Sequence, residues 1–364
     1  MQIISGSVQE RMQRLLDGYT QNGREWGLQM AVYKDGELLV NAASGVTQGT
    51  DGEAVTENTL FPVFSTTKGV VATLVHLLVE RGKISYDTPV AEVWPEFATG
   101  GKEHVTLRHV MNHTCGLANI PLACTGYDQL CNYDWMCALL AAQTPNTPPG
   151  TERVYHALTY GWLMAEVARR VDGRPIAQMM REEITRPLGI RDMFVGLPEG
   201  DPHTVATLHE EAPEPVPAPG TPLPVPHWMR PLGTAMNRPD VHRACVPGAN
   251  GLMSAAAVAR HYAALVPGGV DGVEILPASR IAAASALEPD QTPGDDIIAL
   301  GYRVHQNQGG RPLATFGHAG YGGSFGWACP QRRLAVGFTK NLFTKVWHVA
   351  DIVTALLDAV DARG

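Results

Sequence analysis

The chain holds 364 residues, 45% of them hydrophobic, enough for one large core or two smaller ones and a natural size for a single two-lobed enzyme. A formal net charge of −8, a pI near 5.9 and the lack of any Lys/Arg run argue against nucleic acid or an anionic membrane surface as partner. No window reaches the roughly 18 apolar residues of a membrane-spanning helix, which excludes an integral helical membrane protein.

Residues 1–16, MQIISGSVQERMQRLL, break any apolar stretch with polar side chains and offer no signal-peptide core, so a cytoplasmic location is expected. Apolar Val8, Met12, Leu15 and Leu16 predict an amphipathic helix within 2–19. Strands are expected over 28–33 and 37–41, joined by Lys34-Asp35-Gly36, a strong hairpin signal. Val71, Leu74, Val75 and Leu78 predict a buried helix over 68–80 that Gly82 ends. The middle, about 107–190, reads as helical segments. Residues 211–231 hold eight prolines in 21 positions, which rules out regular helix and leaves a plain surface loop or a substrate-covering lid. Further on, a helix is expected over 255–266, strands over 299–305, 325–329 and 334–338, and a last helix over 346–360. Helix and hairpin first, a helical block, then strands and a helix suggest a sheet completed by both ends of the chain, packed against an all-helical lobe. The six cysteines, at 115, 124, 131, 137, 245 and 329, form no C-x-x-C pair, so free thiols are expected in a reducing cytosol. With four of them between 115 and 137, a local disulfide stays open in an oxidising compartment.

Ser65-Thr66-Thr67-Lys68 stands where the 68–80 helix begins. Ser and Lys three apart share a helical face, and a lysine buried at a helix N-terminus has its pKa lowered by desolvation and by the helix dipole. It could then serve as a base near neutral pH. An N-cap serine followed by a solvated lysine accounts for most isolated S-x-x-K matches, but the apolar Gly69-Val70-Val71 argues for burial. Tyr155-His156-Ala157 offers a phenol that could relay protons. Phe316-Gly-His-Ala-Gly-Tyr321 reads as a glycine-bearing edge strand that lets a substrate approach and a backbone N–H reach an oxyanion. Taken alone, Tyr155 is equally a core tyrosine and His318 equally a structural histidine.

In this order and spacing the three elements resemble the serine β-lactamase and penicillin-binding-protein superfamily. The similarity is greatest to its class C-like branch, which includes family VIII carboxylesterases and transesterases. It extends over about 28–343 and takes in Asn112-His-Thr-Cys-Gly-Leu117, Tyr155–Leu163, Arg186-Pro-Leu-Gly-Ile190 and Gly248–Ser254. The resemblance implies an α/β (α+β) fold: an antiparallel sheet flanked by helices, about 1–85 and 285–364, with a helical lobe over 86–284. It also implies Ser65 as the acylated nucleophile, Lys68 as its base and Tyr155 as the proton shuttle. His318 to Gly320 would stand in for the family's K-T-G strand, and the backbone N–H groups of Ser65 and Tyr321 would form the oxyanion hole. Two departures matter. Ala157 replaces the amide of Y-x-N, and His318 replaces the K-T-G lysine; both weaken recognition of penicillins and D-Ala-D-Ala while sparing ester cleavage.

The expected function is therefore a serine carboxylesterase on small esters, with water or another nucleophile as acceptor and no cofactor or metal. The alternatives are a transacylase or transesterase of a small-molecule pathway, a β-lactamase or DD-peptidase, and a non-catalytic binding protein. Tyr127, Tyr133, Trp135 and Trp228 come from segments expected to border the cleft, where aromatic walls suit an apolar acyl group; His156 joins them as a substrate-binding candidate. Gly322-Gly-Ser-Phe-Gly326 matches G-x-S-x-G, yet a turn leading into a strand is the wrong context for a nucleophile elbow. His104, His109 and His113 have metal-like spacing without H-E-x-x-H. The oligomeric state is not legible.

Overall fold

The computed structural model describes residues 7–49, 52–211, 222–289, 291–292, 297–344 and 348–362. Twelve strands run along these: β1 (Gly27–Lys34), β2 (Glu37–Gly45), β3 (Phe61–Pro62), β4 (Met193–Val195), β5 (His209–Glu210), β6 (Gly251–Met253), β7 (Ile297–Ile298), β8 (Arg303–Gln308), β9 (Arg311–Ala319), β10 (Phe325–Cys329), β11 (Leu334–Lys340) and β12 (Leu342–Phe343). Seven form one antiparallel sheet in the order β2-β1-β11-β10-β9-β8-β7. A second sheet, β3-β6-β4, is antiparallel too, and β5 lies parallel to β12. The β1–β2 hairpin turns at Asp35 and Gly36, both with positive φ (55° and 82°), the backbone that Asp-Gly favours.

The two faces of the large sheet carry different residues. Leu28, Met30 and Val32 on β1, with Val336 and Phe338 on β11, bury against the helices Val8–Gln21 and Val349–Asp361. The opposite face presents small residues, Ala31, Ala328 and Ala335, to the helix Ala255–Ala263. That helix lies so close that a Cβ on Gly337 would meet Ala255 O at 2.2 Å, and one on Gly326 would meet Val258 Cγ1 at 2.3 Å. The boundary of the helical lobe expected at 284 therefore falls too late, because 255–263 packs on the sheet.

The helix Thr66–Glu80 is buried on all sides from Thr66 to Leu78, as its nearly uniform apolar sequence requires. It packs between β9 and the helix Thr159–Asp172, which places its first turn at the seam between sheet and helical block. Other expectations shift by a few residues. The strand expected over 299–305 is two strands, β7 and β8, split at Gly301 (φ 79°). Strand β9 runs from Arg311 and is flanked by β10 and β8, so it is interior, not an edge. Its pairing with β8 ends at Arg303↔Gly317, while its pairing with β10 continues through His318 and Ala319. At the end of β9 that reaches the site, His318 and Ala319 are therefore open on the β8 side. All six cysteines are free thiols. Residues 212–221 of the proline-rich stretch lie outside the described residues. No helix among the described residues is long and apolar enough to cross a membrane.

Candidate active site

The chain enters the site through strain. Strand β3 is pinned to β6 by Val63 N donating to Gly251 O at 2.9 Å. Phe64 then takes a left-handed φ of 47°, costly for a bulky residue, and this bend starts the helix at Ser65. Ser65 sits at the N-cap in helical conformation, and its hydroxyl caps no backbone N–H. It meets Lys68 instead. The threonines between them are anchors: Thr66 Oγ1 donates to Ser324 O (3.1 Å), and Thr67 Oγ1 donates to Phe64 O (2.6 Å) while accepting from Gly251 N (3.0 Å).

Lys68 has no exposed surface. Its Nζ lies 2.9 Å from Ser65 Oγ and 2.6 Å from each of the carbonyl oxygens of Ala157 and Gly248. Burial, reinforced by the positive charge of Arg303, holds its ammonium well below the usual lysine range. As an ammonium it donates to all three oxygens. As a neutral amine it has two N–H bonds for the two carbonyls, which leaves its lone pair facing the serine hydroxyl.

Tyr155 stands over this pair, with Lys68 Nζ 5.2 Å from its ring centre and the Arg303 guanidinium carbon also at 5.2 Å. His113 lies behind the phenol at 4.9 Å between ring centres. His318 is 6.3 Å from Tyr155, ring to ring, and 4% exposed. Its Nδ1–H donates to Ala319 O at 2.8 Å, and burial, then the charges of Lys68 and Arg303, keep it neutral by lowering its pKa well below 6.5. The position that the resemblance equates with the K-T-G lysine thus carries no charge. A Cβ at Gly320 would lie 2.1 Å from Val63 O, so only glycine lets the end of β9 pass the entry to the helix.

A cavity of about 340 Å³ opens on Ser65, within the range of small-molecule sites. Tyr155, Gly320 and Tyr321 line it, with an apolar wall of Phe64, Leu158, Val225, Met229, Leu232 and Met236 and two cations, Arg230 and Arg303. The 222–231 half of the proline-rich stretch therefore walls the cavity through Val225, Met229 and Arg230. Sequence reading missed these wall residues. The available signals were the stretch's proposed role as a lid and, for Arg303, a cation at the start of a strand beside His318.

The expected aromatic wall is elsewhere. Tyr127 and Trp228 pack edge to face at 5.0 Å, Trp228 Nε1 donates to Cys124 O, and Tyr133 packs beside Glu166. Trp135 is half-buried on its own helix. None of the four lines the Ser65 cavity. His156 is likewise no substrate contact. It is 1% exposed; its Nδ1–H donates to Val154 O (2.6 Å) and its Nε2 accepts from Leu117 N (3.1 Å). Ser324, the centre of the G-x-S-x-G match, is 1% exposed and opens strand β10 with no helix after it. His109 Nδ1 accepts from Thr106 N at the start of its own helix.

A model of the family described as Beta-lactamase matches residues 12–360. Esterase/beta-lactamase LipL of Mycobacterium tuberculosis is 33% identical over 336 residues, which span 86% of this chain and 76% of that protein. The solved structure of a family VIII carboxylesterase has a TM-score of 0.84 at 28% identity over 99% of both chains. A penicillin-binding-protein homologue from Caulobacter crescentus has 0.81 at 31% identity, over 98% of this chain and 99% of its own. With a family match over nearly its whole length and esterases among its relatives, the chain belongs to the Beta-lactamase family and is a serine hydrolase or acyl-transfer enzyme.

Proposed function

We propose that the protein is a carboxylesterase that cleaves small esters with apolar acyl groups through an acyl-enzyme on Ser65. One observation carries this: Lys68 Nζ, fully buried, has two carbonyl oxygens and the Ser65 hydroxyl as its polar neighbours. Those carbonyls hold the neutral amine with its lone pair on the serine. Ser65 Oγ attacks the ester carbonyl carbon as its proton passes to Lys68 Nζ, and the C=O π pair becomes an oxyanion facing the backbone N–H groups of Ser65 and Tyr321. Collapse expels the alkoxide, which takes a proton from the Tyr155 hydroxyl while Lys68 returns one to the phenolate. Water then attacks the acyl-enzyme by the same route in reverse order, releasing the acid and restoring Ser65 O–H.

The apolar wall suits the acyl chain, and the kinship with esterases supports the ester as substrate. Neutral His318 and Ala157, in place of a lysine and an amide, count against lactams. The test follows nitrophenolate release from p-nitrophenyl butyrate together with the intact mass of the protein. A butyryl adduct that appears on Ser65 and turns over in water, both lost in Ser65→Ala, supports the esterase. Turnover that survives Ser65→Ala sinks it, and an adduct that discharges only onto an added amine or alcohol makes the protein a transferase.

A further inference from the structure

Tyr155 belongs to no helix or strand, yet its phenol is the group that must stay aligned with both Lys68 and the departing oxygen. The residue that brackets it is His113. The carbonyl oxygen of His113 accepts from Val154 N at 3.1 Å, and its ring Nδ1 accepts from His156 N, also at 3.1 Å. Both neighbours of Tyr155 are thus tied to one residue, whose ring stands 4.9 Å from the phenol ring. The same ring is stacked on Tyr160, at 4.8 Å and 29°, and Tyr160 has no exposed surface. His113 reaches this position through a left-handed backbone, φ 65°, which histidine tolerates better than most residues.

We propose that His113 is the positioning residue for Tyr155: its carbonyl oxygen and Nδ1 fix the backbone on both sides of the tyrosine, and its ring sets the phenol's plane. This rests on the reading of Tyr155 as the proton relay. His113 is not among the residues that line the cavity; it acts through Tyr155. Accepting at Nδ1 requires a neutral ring with its proton on Nε2. The surroundings favour that state, because burial first, and then the positive charge of Arg303, disfavour protonation.

The consequence is a dependence on the leaving group. A nitrophenolate departs without help, whereas an alkoxide needs the proton that Tyr155 delivers. His113→Asn keeps an acceptor for His156 N and tolerates the left-handed φ, but removes the ring. His113→Phe keeps the ring and leaves a buried N–H unpaired. Each variant is assayed on ethyl butyrate and p-nitrophenyl butyrate, and the ratio of the two kcat/KM values is the readout, so any inactive fraction cancels. In both variants the ethyl ester should lose about tenfold or more relative to the nitrophenyl ester. Tyr155→Phe should show the same bias, and adding His113→Asn to Tyr155→Phe should change the ratio by less than about twofold. Equal losses on the two esters, or an undiminished effect of His113→Asn in the Tyr155→Phe background, would overturn the proposal. If Tyr155→Phe itself shows no bias, the relay has failed and this inference falls with it; a bias in Tyr155→Phe without one in the His113 variants sinks the inference alone.

Discussion

The carbonyl oxygen of Gly248 accepts a hydrogen bond from Lys68 Nζ at 2.6 Å, between residues 180 positions apart in the chain. With Ala157 O it takes up the two N–H bonds of the neutral amine and so fixes where its lone pair points. Because burial depresses the lysine pKa, the neutral, working base is present above that depressed value and is lost as pH falls through it. The acid limb of kcat/KM should therefore lie well below 10.5. Removing a nearby positive charge with Arg303→Gln should move that limb to higher pH. Lys68→Arg, which cannot deprotonate, should lower kcat/KM by about 10²–10⁴. A pH profile of ester hydrolysis for the three proteins checks this; an unmoved limb in Arg303→Gln would refute the electrostatic part.

Gly161 should be intolerant of any side chain. A Cβ there would lie 1.9 Å from Gly248 N, so Gly161→Ala must push the 246–251 segment away from the helix Thr159–Asp172 and carry one of Lys68's acceptors with it. We expect a destabilisation of about 1–3 kcal/mol, measured by thermal unfolding, and a drop in kcat beyond that explained by the unfolded fraction.

Acid should destabilise the fold before its carboxylates titrate. His156 is held at a pKa of about 4, and His76 and His261 at about 3, all by burial, against an ordinary value of 6.5. Their folded pKa values are depressed, so the unfolded chain takes up these protons first. The stability they lend is complete above pH 6.5 and is lost as pH falls from 6.5 towards 4 and 3. Each adds a slope of up to ~1.4 kcal/mol per pH unit in that window. Urea unfolding at pH 7 and pH 5 should show the loss, and His261→Gln should reduce it.

On the esterase reading, the apolar wall should set acyl length. Leu232 and Met236 line the same cavity as Ser65, and the double variant Leu232→Ala, Met236→Ala should raise kcat/KM for p-nitrophenyl octanoate relative to butyrate by about tenfold, the worth of a few extra buried methylenes. An unchanged chain-length profile would show that the acyl group lies elsewhere.

What could be read from sequence followed from local rules. Asp35-Gly36 marked its hairpin because the turn needs positive φ at both positions, and Val71, Leu74, Val75 and Leu78 marked a buried helix. Ser65 and Lys68 were legible because three residues of helix bring their side chains together whatever the rest does. The wall was not. Tyr127, Trp135 and Trp228 were chosen for ring type, but which way a half-buried aromatic faces depends on packing between segments, and here Tyr127 and Trp228 pack on each other while Trp135 packs against the core. Val225, Met229, Arg230 and Arg303 reach the cavity from two distant segments, so no local spacing announced them. His156 misled because it adjoins Tyr155, while its backbone partners turn it inward.

Strand β1 pairs with β11, Leu28 opposite Lys340, and strand β9, which closes the site beside Ser65, is laid down after residue 310. On the ribosome the edge of β1 that pairs with β11, and the side of the Ser65 helix that packs on β9, therefore stay uncovered until those late strands are made. During that wait they expose the surface on which nascent chains associate wrongly. The Ser65 site is thus incomplete until β9 has been made, and the yield of folded protein in a cell should respond to chaperone capacity during that wait.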